Sequence, residues 1–300
     1  MQECVQAGDA FIRVQVVHPQ KAVCFSFRKI AEVIENDILK NLINPPLLVE
    51  KENFLVKFAE NESEIKDALR LRYNVFMEEQ GHLAGQENSG AIDVDEFDRY
   101  CLHLIIVERS RNEVIGTYRV HPGEVAQQGL GLYSAQEFRM PGLDKIAARA
   151  VEVGRSCVKP EFRNGAVVAL LWAGMAAVHE RTGCKYLLGC VSLPTADPVI
   201  GKAVGEFLKS KGDIFINDLE VSPQPDFVLP EVDDTQVQTY LTGERKNELR
   251  QWIPPLLKGY LRLGARFSRD PVLDREFGTI DFLVLFNFDE IDQKYARHFL

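Results

Sequence analysis

Hydrophobic residues recur with two different spacings along the chain, and the spacing separates predicted helices from predicted strands. Helical spacing of apolar residues predicts an amphipathic helix from about Ser26 to Leu42, which two prolines end. The elements predicted after Phe54 are strands over 54–59, 102–108, 113–122, 151–157 and 186–192, and helices over 62–76 and 166–181. Strands come first in a pair and then alternate with helices. We therefore predict an α/β fold, a mixed sheet flanked by helices.

The same pattern divides the chain into two parts. Residues 1–53 form an N-terminal appendage that carries the amphipathic helix, and residues 54–300 form one domain. The polar face of the helix mixes acidic with basic residues, which disfavours binding to a membrane surface. The helix can cover the main domain, dimerise or lie on a membrane, and the sequence leaves these three roles open.

Length and composition indicate a globular protein with a sizeable core. The chain has 300 residues, of which 46% are hydrophobic and 26% charged, and a net charge of −9. The first residues lack the order of a signal peptide, and the longest uncharged apolar run, at 166–178, is too short to span a bilayer. Six cysteines are scattered without C-x-x-C pairs, which favours reduced thiols over disulfides or a metal site. We predict a cytoplasmic protein without a metal, with peripheral contact with the inner face of the membrane as a second option.

Charged residues are distributed unevenly, which indicates two kinds of partner. Seven acids and no Lys or Arg lie between Glu78 and Asp98, and such a segment suits a cationic substrate. Seven basic residues and two acids lie between Glu244 and Arg269, and such a segment suits an acidic partner. Two solvated surfaces are the alternative. Nucleic acid is not expected, because no aromatic platform or recognised motif accompanies the basic residues.

The segment 151–180 carries the densest group of candidate chemical residues. A strand with Glu152 and Arg155 leads into a polar loop and then into a long apolar helix. Unpaired backbone N–H groups at such a junction favour developing negative charge, and Arg163 adds donors beside them. We predict that an acyl thioester binds here. Other chemistries lack their residues, since the sequence has no G-x-S-x-G, P-loop or H-E-x-x-H motif and no third glycine after G-L-G at 129–131.

Six sequence blocks, in order, resemble one family. They are RYNVFMEEQG at 72–81, DEFDRYCLHL at 95–104, GTYR at 116–119, EVGRSCV at 152–158, LLGCVSL at 187–193 and PPLLKGYLRLGA at 254–265. Together they resemble the ornithine-lipid type N-acyltransferases of the GNAT-like superfamily, whose members are often labelled hemolysins. The resemblance covers about Phe54 to Phe299 and implies a GNAT-like mixed sheet flanked by helices.

A more distant similarity is to the N-acylhomoserine lactone synthases. The residues that carry it are Arg72 with Phe76, Asp95 with Asp98, Arg119, and Glu152 with Arg155. The tryptophan of that pattern is His82 here, which argues against lactone synthesis. Both resemblances imply transfer of an acyl chain from acyl carrier protein to the amine of an amino acid, with the acyl-phosphopantetheine thioester as donor substrate and no bound cofactor.

The nearer resemblance implies transfer of a 3-hydroxyacyl chain to the α-amine of ornithine, which gives lyso-ornithine lipid. The alternatives are the same reaction on glycine, lysine, glutamine or another amine, a lactone-like synthesis, and a non-catalytic lipid- or membrane-binding protein. The loop at Arg163 departs from the glycine pattern with which enzymes that use coenzyme A surround a pyrophosphate. This departure favours carrier protein over coenzyme A as the donor.

Roles for individual residues follow from the resemblance and from their neighbours. Glu152 is the candidate general base, because apolar strand neighbours raise the pKa of a carboxyl while Arg155 lowers it, and an ion pair between the two is the structural alternative. Backbone N–H groups of the same strand are implied to stabilise the oxyanion. Cys157 is interpreted as a small buried residue, not as a nucleophile. The assigned residues are Arg72, Phe76, Asp95, Asp98, Arg119 and Ser192 for the acceptor, and Cys157, Val158, Arg163, Asn164 and Gly165 for the acyl donor.

Asp95 and Asp98 have three possible roles, which are binding the acceptor, holding two arginines in its pocket, and capping a turn. The basic helix that opens at Pro254 is the candidate docking site for acyl carrier protein. Lys258 and Arg262 lie one turn apart on it, and Arg266 follows one turn later unless Gly264 ends the helix. Ser192 is also a candidate proton donor to the leaving thiolate.

Overall fold

The structure is a computed structural model that describes residues 37–44, 46, 48–78, 91–242 and 245–291. Most of the amphipathic helix predicted at 26–42 therefore lies outside the described residues, and so does His82. None of the helices in the described ranges is both long and apolar enough to cross a membrane.

Helices and strands are interspersed along the described chain. The helices are α1 Asp37–Ile43, α2 Glu62–Tyr73, α3 Gly123–Gln128, α4 Asp144–Ala147, α5 Gly165–Thr182, α6 Pro198–Lys209, α7 Asp234–Leu241, α8 Lys246–Trp252 and α9 Pro255–Arg262. The strands are β1 Leu48–Lys51, β2 Phe54–Phe58, β3 Leu102–Glu108, β4 Glu113–Pro122, β5 Phe138–Arg139, β6 Ala150–Val158, β7 Tyr186–Leu193, β8 Ser222–Pro223, β9 Arg266–Phe267, β10 Val272–Asp274 and β11 Thr279–Asn287. A π-helical turn, Asn74–Glu78, continues α2.

Most of these strands form one mixed sheet. Its order is β1-β2-β3-β4-β6-β7-β11-β10, and β9 pairs with β11 beside this path. The pairing of β6 with β7 is parallel, whereas the other pairs along the path are antiparallel. Strands β5 and β8 form a separate antiparallel pair. The prediction of an α/β fold with a mixed sheet flanked by helices is confirmed.

The two faces of the sheet carry different layers. On the α5 face, Val153, Val191 and Phe282 pack with apolar residues of α5 and α6 in the larger hydrophobic core. On the α2 face, Leu188 and Leu283 belong to a smaller core that is completed by residues of α3, α4 and β5. Side chains alternate between the faces along each strand, and paired residues share a face. The strand residues that the register places on the α2 face include Arg119, His121, Glu152, Cys190, Ser192, Asp274 and Asp281.

The described end of the appendage packs on the main domain. Helix α1 buries Leu39 and Leu42 in the core that α5 also lines. Arg181 of α5 donates from Nη1 to the carbonyl oxygen of Leu42 at 2.8 Å. Strand β1 pairs with β2, so the sheet begins before the domain boundary predicted between residues 53 and 54. Of the three roles left open for this segment, covering the main domain is the one its described part has.

Several elements after Ser192 were not predicted from the sequence pattern. They are α6, α7, α8, β8, β9, β10 and β11. Strand β11 lies between β7 and β10, and all nine of its residues are buried. A strand covered on both faces lacks the alternation of apolar and polar residues by which strands are recognised, which is why the pattern missed it.

The prediction that Arg266 extends the basic stripe is wrong. Helix α9 ends at Arg262, and Gly264 has the left-handed φ of 84° that is typical of residues just after a helix. Arg266 lies instead in β9, where Nη2 is 3.2 Å from Oε2 of Glu290 and Nη1 is 3.8 Å from Oδ2 of Asp213. It is therefore held by acids away from the helix.

Candidate active site

Strands β6 and β7 pair over a short stretch and then separate. Their parallel pairing begins at Ala150 with Tyr186 and ends at Glu152 with Leu188. At the next position, a Cβ on Gly189 would overlap the carbonyl oxygen of Val153, so only glycine allows this close approach of the two strands. Beyond it, a cavity of about 590 Å³ opens, lined by residues of both strands. The cavity thus lies in the gap between β6 and β7.

The cavity has a polar part and an apolar part. Its polar residues on the α2 face are Arg119, His121, Glu152, Cys190, Ser192, Asp274 and Asp281. Its apolar and aromatic residues on the other side, where they pack with the core of the α5 face, are Tyr118, Leu171, Trp172, Leu256 and Tyr260. A cavity with this division accommodates a polar group at one end and a hydrocarbon chain at the other.

Glu152 is a buried carboxylate held by three hydrogen bonds from one turn. The backbone N–H of Tyr133 donates to Oε2 at 2.7 Å, and the N–H and hydroxyl of Ser134 donate to Oε1 at 2.8 and 2.6 Å. Burial raises the pKa of Glu152 above its usual value, and the hydrogen bonds from Ser134 and Tyr133 offset part of the rise. The result is a fixed carboxyl group at the cavity wall whose proton affinity is greater than that of an ordinary glutamate.

His121 lies beside this carboxylate and was not singled out from the sequence. It pairs with Glu152 across β4 and β6, and its Nδ1 is 3.9 Å from Oε2. Burial, together with the positive charge of Arg119, lowers the pKa of His121 to about 4, so the imidazole is neutral at neutral pH. His121 is two residues after Arg119 on a predicted strand, so the two side chains share a face of the sheet, and this spacing could have identified His121 from the sequence.

A buried network of arginines and aspartates forms the wall next to Glu152. Arg72 is fully buried and donates to Asp93 at 2.7 Å and to both oxygens of Asp98 at 2.7 and 3.1 Å. Arg119 donates to both oxygens of Asp95 at 2.6 Å. Burial alone would raise the pKa of Asp98, but Arg72 and Arg119 hold it well below its usual range. Asp95 and Asp98 therefore stay charged and fix the arginines in place.

Asp95 and Asp98 combine two of the roles left open for them. Each side chain accepts a hydrogen bond from a backbone N–H of the turn, Asp95 from Phe97 at 2.9 Å and Asp98 from Asp95 at 2.8 Å. They also hold the network arginines, as described above. Arg72 and Asp98 are fully buried behind the cavity wall, so neither is placed to touch an acceptor.

Arg155 is directed into the network by a backbone irregularity. Its φ is 49°, an unusual value for a residue other than glycine, and the pairing of β4 with β6 shifts register between Thr117 and Arg119. The side chain reaches Asp95 from Nη2 at 3.1 Å and lies over the rings of Tyr133 and Phe277. Within the described chain, the ion pair with Glu152 that the sequence left open does not form.

The residues assigned to the acyl donor fall into two groups. Cys157, Val158 and Arg163 line the cavity, and Arg163 donates from Nε to the carbonyl oxygen of Val158 at 2.9 Å. Asn164 caps α5 instead, because its Oδ1 accepts from the N–H groups of Ala166 and Val167, each at 3.1 Å. Gly165 is the exposed first residue of that helix.

Phe76 and Ser192, two further residues assigned to the acceptor, line the cavity as Arg119 does. Phe76 sits in the π-helical turn after α2, and Ser192 lies near the end of β7. Irregular turns of this kind re-aim side chains and are frequent at functional sites. Ser192 is opposite Asp281 in the register of β7 and β11.

Three further acidic and thiol groups meet at the far end of the polar part. Atoms of Glu137, Cys190 and Asp281 all lie within 4.8 Å of one another. Asp274 lies on the same face, opposite Thr279 in the β10–β11 hairpin. The sequence analysis assigned no role to any of these residues. Glu137 comes from the segment at 129–144, which the sequence pattern does not assign to a helix or a strand, so no sequence signal placed it beside β7.

Comparison with known proteins identifies the family. The Acetyltransferase (GNAT) domain family matches residues 71–173. The chain is 32% identical to the L-ornithine N(alpha)-acyltransferase of Agrobacterium fabrum over 293 residues, which are 90% of this chain and 97% of that protein. It is also 32% identical to the protein of that name from Brucella abortus over 260 residues, 81% of this chain and 88% of that one. The chain belongs to the L-ornithine Nα-acyltransferase family.

Membership of the L-ornithine Nα-acyltransferase family makes this chain an N-acyltransferase with a GNAT domain. The GNAT match begins in α2 and ends in α5, and so it includes the network arginines and Glu152. Among solved structures, the chain is similar to the CoA-dependent acyl-homoserine lactone synthase MesI, with 11% identity, a TM-score of 0.40, and coverage of 75% of this chain and 81% of that one.

The two other residues predicted to dock a carrier protein on this L-ornithine Nα-acyltransferase family member are exposed on α9. Lys258 donates from Nζ to the carbonyl oxygen of Arg250 at 3.3 Å, and Arg262 is the last residue of the helix. On its other side, α9 contributes Leu256 and Tyr260 to the apolar part of the cavity. The helix therefore joins the basic surface to the cavity.

Proposed function

We propose that this protein transfers a 3-hydroxyacyl chain from acyl carrier protein to the α-amine of L-ornithine, which gives lyso-ornithine lipid. The observation that carries the proposal is the buried Glu152 carboxylate in the gap between β6 and β7, where the polar and apolar parts of the cavity meet. The names of the relatives supply the acceptor, since each is called an L-ornithine N(alpha)-acyltransferase.

The reaction needs an uncharged amine next to a polarised carbonyl. Glu152 accepts a proton from the α-ammonium group, through a water where the two do not touch. The amine nitrogen then attacks the thioester carbon, and the edge of β6 beyond Glu152, no longer paired with β7, offers its N–H groups to the oxyanion. The carbon–sulfur bond breaks, and the thiolate takes the proton that the nitrogen loses. Ser192, the candidate proton donor, lines the same cavity.

Arginines on the cavity wall are suited to the α-carboxylate of the acceptor. Arg119 and Arg155 both line the cavity, and the aspartates behind them fix their planes. A fixed guanidinium binds a carboxylate through two hydrogen bonds at little cost in side-chain entropy. We assign the carboxylate to these arginines, on the same face of the sheet as Glu152.

The capping of α5 favours a carrier protein as donor. In a helix that binds pyrophosphate, the first backbone N–H groups are free to donate to it. Here the side chain of Asn164 already accepts from two of them, those of Ala166 and Val167. A phosphopantetheine arm on a carrier protein has no pyrophosphate and does not need these donors. The exposed basic residues Lys258 and Arg262 suit the acidic surface of such a partner.

We place this reaction in the cytoplasm, with peripheral contact with the membrane at most. The four cysteines in the described ranges are free thiols, as a reducing compartment favours.

Mass spectrometry of the products tests the proposal. The purified full-length protein is incubated with 3-hydroxyacyl carrier protein and an equal mixture of the twenty amino acids and L-ornithine. We expect one dominant product, Nα-(3-hydroxyacyl)ornithine. A parallel reaction with the same acyl group on coenzyme A should proceed much more slowly. Absence of an acylated amine from a folded protein with intact donor would contradict the reaction, and a dominant product on another amino acid would contradict the acceptor.

A further inference from the structure

The acidic end of the cavity contains carboxylate oxygens without a partner. Asp281 is only 4% exposed and Glu137 only 2%, yet Oδ1 of Asp281 and Oε1 of Glu137 have no hydrogen-bond partner among the described residues. Cys190 lies between them and donates its thiol proton to Oε2 of Glu137 at 3.3 Å. Buried polar atoms are nearly always paired, so two unpaired oxygens in one cluster indicate a missing donor.

The acidic groups of this cluster also repel one another. Asp274 is a third buried carboxyl group nearby, and its Oδ1 already accepts from the backbone N–H groups of Glu276 and Phe277. Burial raises the pKa of Glu137 well above its usual value, and the negative charges of Asp281 and Asp274 add to the rise. A cation at this position would remove both the repulsion and the unpaired oxygens. Asp281 lines the cavity, so a ligand there reaches it directly.

We infer that Asp281, supported by Glu137 behind Cys190, binds the distal ammonium group of a diamino acid and thereby selects the acceptor. The inference rests on the function proposed above and deepens it. Asp281 makes the direct contact. Glu137 does not line the cavity and acts as a positioning residue, which holds the Cys190 side chain.

The sheet register places this subsite at a suitable distance from the general base. Glu152 is opposite Leu188, and Cys190 lies two residues further along β7 on the same face, which is about 7 Å. Asp281 comes from the next strand and faces the cavity opposite Ser192. Asp281 is level with Ser192, four residues beyond Leu188 and about 13 Å along β7. The three methylene groups of ornithine span this interval together with the two carboxylate side chains and the water at Glu152, with the α-amine towards Glu152 and the distal amine at Asp281. Its α-carboxylate then faces the arginines on the other side of Glu152.

A pair of substrates isolates the proposed contact. L-Ornithine and L-2-aminopentanoic acid share the α-amine, the carboxylate and the three-carbon chain, and they differ in the distal amine alone. The two compounds compete at equal concentration for 3-hydroxyacyl carrier protein, and the product ratio gives the ratio of kcat/KM. For wild type we expect a preference for ornithine of about a hundredfold or more, because a buried group left without its partner strongly disfavours the analogue.

Variants of the cluster should lower this preference without abolishing acyl transfer. We expect Asp281→Asn to reduce the ratio at least about tenfold, with kcat/KM for 2-aminopentanoic acid unchanged or higher. Glu137→Gln should reduce it by less, because Glu137 acts from behind. Glu276→Gln is the matched control, since Glu276 is an exposed acid in the same hairpin, and it should leave the ratio unchanged.

The outcomes separate the inference from the proposed function. No acylated amino acid from wild type would overturn both. Acylation of ornithine with an equal rate on 2-aminopentanoic acid, or an unchanged ratio in folded Asp281→Asn, would overturn the subsite alone. If Asp281→Asn does not fold, the wild-type ratio and Glu137→Gln carry the test. A stoichiometric metal ion that copurifies with wild type and is lost in Glu137→Gln would also overturn it, because the cation would then be the metal.

Discussion

At the scale of single residues, Glu152 combines burial with hydrogen bonding in a way that suits a base. Burial raises its pKa, and the hydrogen bonds from Ser134 and Tyr133 lower it in part by stabilising the ionised form. The neutral His121 beside it adds no positive charge that would lower the pKa. A carboxyl group in this state takes up a proton near neutral pH more readily than a solvent-exposed one.

Replacement of Glu152 tests its role as the base. We expect Glu152→Ala to lower kcat at least about tenfold, because the α-ammonium then loses its proton acceptor. The thermal unfolding transition should remain cooperative, and steady-state kinetics with the carrier-protein donor measure the change. Wild-type turnover by the folded variant would remove Glu152 from catalysis.

Ser134→Ala provides the matched control for this carboxylate. The Ser134 hydroxyl donates at 2.6 Å and lowers the pKa of Glu152. Its removal should raise that pKa, so the rise of kcat/KM with pH should move to higher pH while the plateau at high pH is retained. A loss of the plateau, or a shift to lower pH, would contradict this account of Glu152.

Asp281 links the proposed acceptor subsite to stability. Burial and the charge of Asp274 raise its pKa from 3.8 to about 6, against the opposing effects of Ser192, Thr279 and Arg155. The folded protein therefore holds this proton more tightly than the unfolded chain does. Stability contributed in this way is present at low pH and is lost as the pH rises from about 4 to about 6.

Asp281→Asn should accordingly stabilise the protein without acceptor at pH 8. A pKa shift from 3.8 to about 6 corresponds to a change of about 3 kcal/mol at most in the free energy of unfolding. We expect the midpoint of urea unfolding to rise at pH 8 and to change little at pH 4, with Glu276→Gln as the control. A variant that is less stable than wild type at pH 8 would mean that the ionised carboxylate is compensated in the free protein.

The sequence indicated some of these residues and could not indicate others. Glu152, Arg119 and Phe76 were singled out by motif spacing, and each lines the cavity. Arg72 matched the same pattern but is fully buried behind the cavity wall. The sequence could not predict this, because spacing does not show whether a side chain faces a cavity or lies behind its wall. Glu137 reaches Cys190 through a contact between distant parts of the chain, and only the fold brings the two together.

At the scale of elements, the contact between β6 and β7 controls the site. The strands approach most closely where Gly189 passes the carbonyl oxygen of Val153, and the cavity begins just beyond. On the other edge of β6, the register shift against β4 directs Arg155 into the aspartate network. Both features arise from backbone geometry, and the side chains of the site depend on them.

Two glycine substitutions separate this backbone requirement from the general effect of adding a methyl group. Gly189→Ala should destabilise the protein by about 2 kcal/mol or more, because the new Cβ overlaps backbone that cannot move without parting the strands. Gly154→Ala is the matched control on β6, since its Cβ would meet nothing within 4 Å. Thermal unfolding of both variants measures the difference. Equal stability of the two would contradict the close contact.

The paired strands β3 and β4 and the long helix α5 could be predicted from spacing, because one period dominates in each. Strand β11 could not, since it is buried on both faces and shows no alternation. The extent of α9 depended on the conformation of Gly264, which a sequence allows but does not fix. Strand β11, which carries Asp281, and the end of α9, which separates Arg266 from the basic stripe, were thus the features hardest to predict from the sequence pattern.

At the scale of the whole molecule, the basic face of α9 and the cavity are parts of one route. The helix exposes Lys258 and Arg262, and its inner side lines the apolar part with Leu256 and Tyr260. A carrier protein bound to the exposed side would be next to the part of the cavity that suits its acyl chain. Long-range charge attraction would increase the rate of this encounter.

Charge reversal tests this route. We expect Lys258→Glu with Arg262→Glu to raise the KM for the acyl carrier protein about tenfold and to leave the KM for ornithine unchanged, with the effect shrinking at high salt. Lys51→Glu, an exposed lysine on the β1–β2 hairpin, is the matched control and should have no effect. An unchanged KM for the carrier protein in the double variant would move the docking face elsewhere.

The close passage of Gly189 by Val153 also bears on how acceptor preference can change in evolution. A side chain at position 189 would force the two strands apart next to the reacting atoms, because its Cβ would overlap the carbonyl oxygen of Val153. Relatives that acylate a different amine are therefore expected to keep this glycine and to vary at the positions of Glu137, Cys190 and Asp281. Selectivity would then diversify by exchange of a few side chains on β7, β11 and the turn before β5, while the geometry of acyl transfer is inherited unaltered.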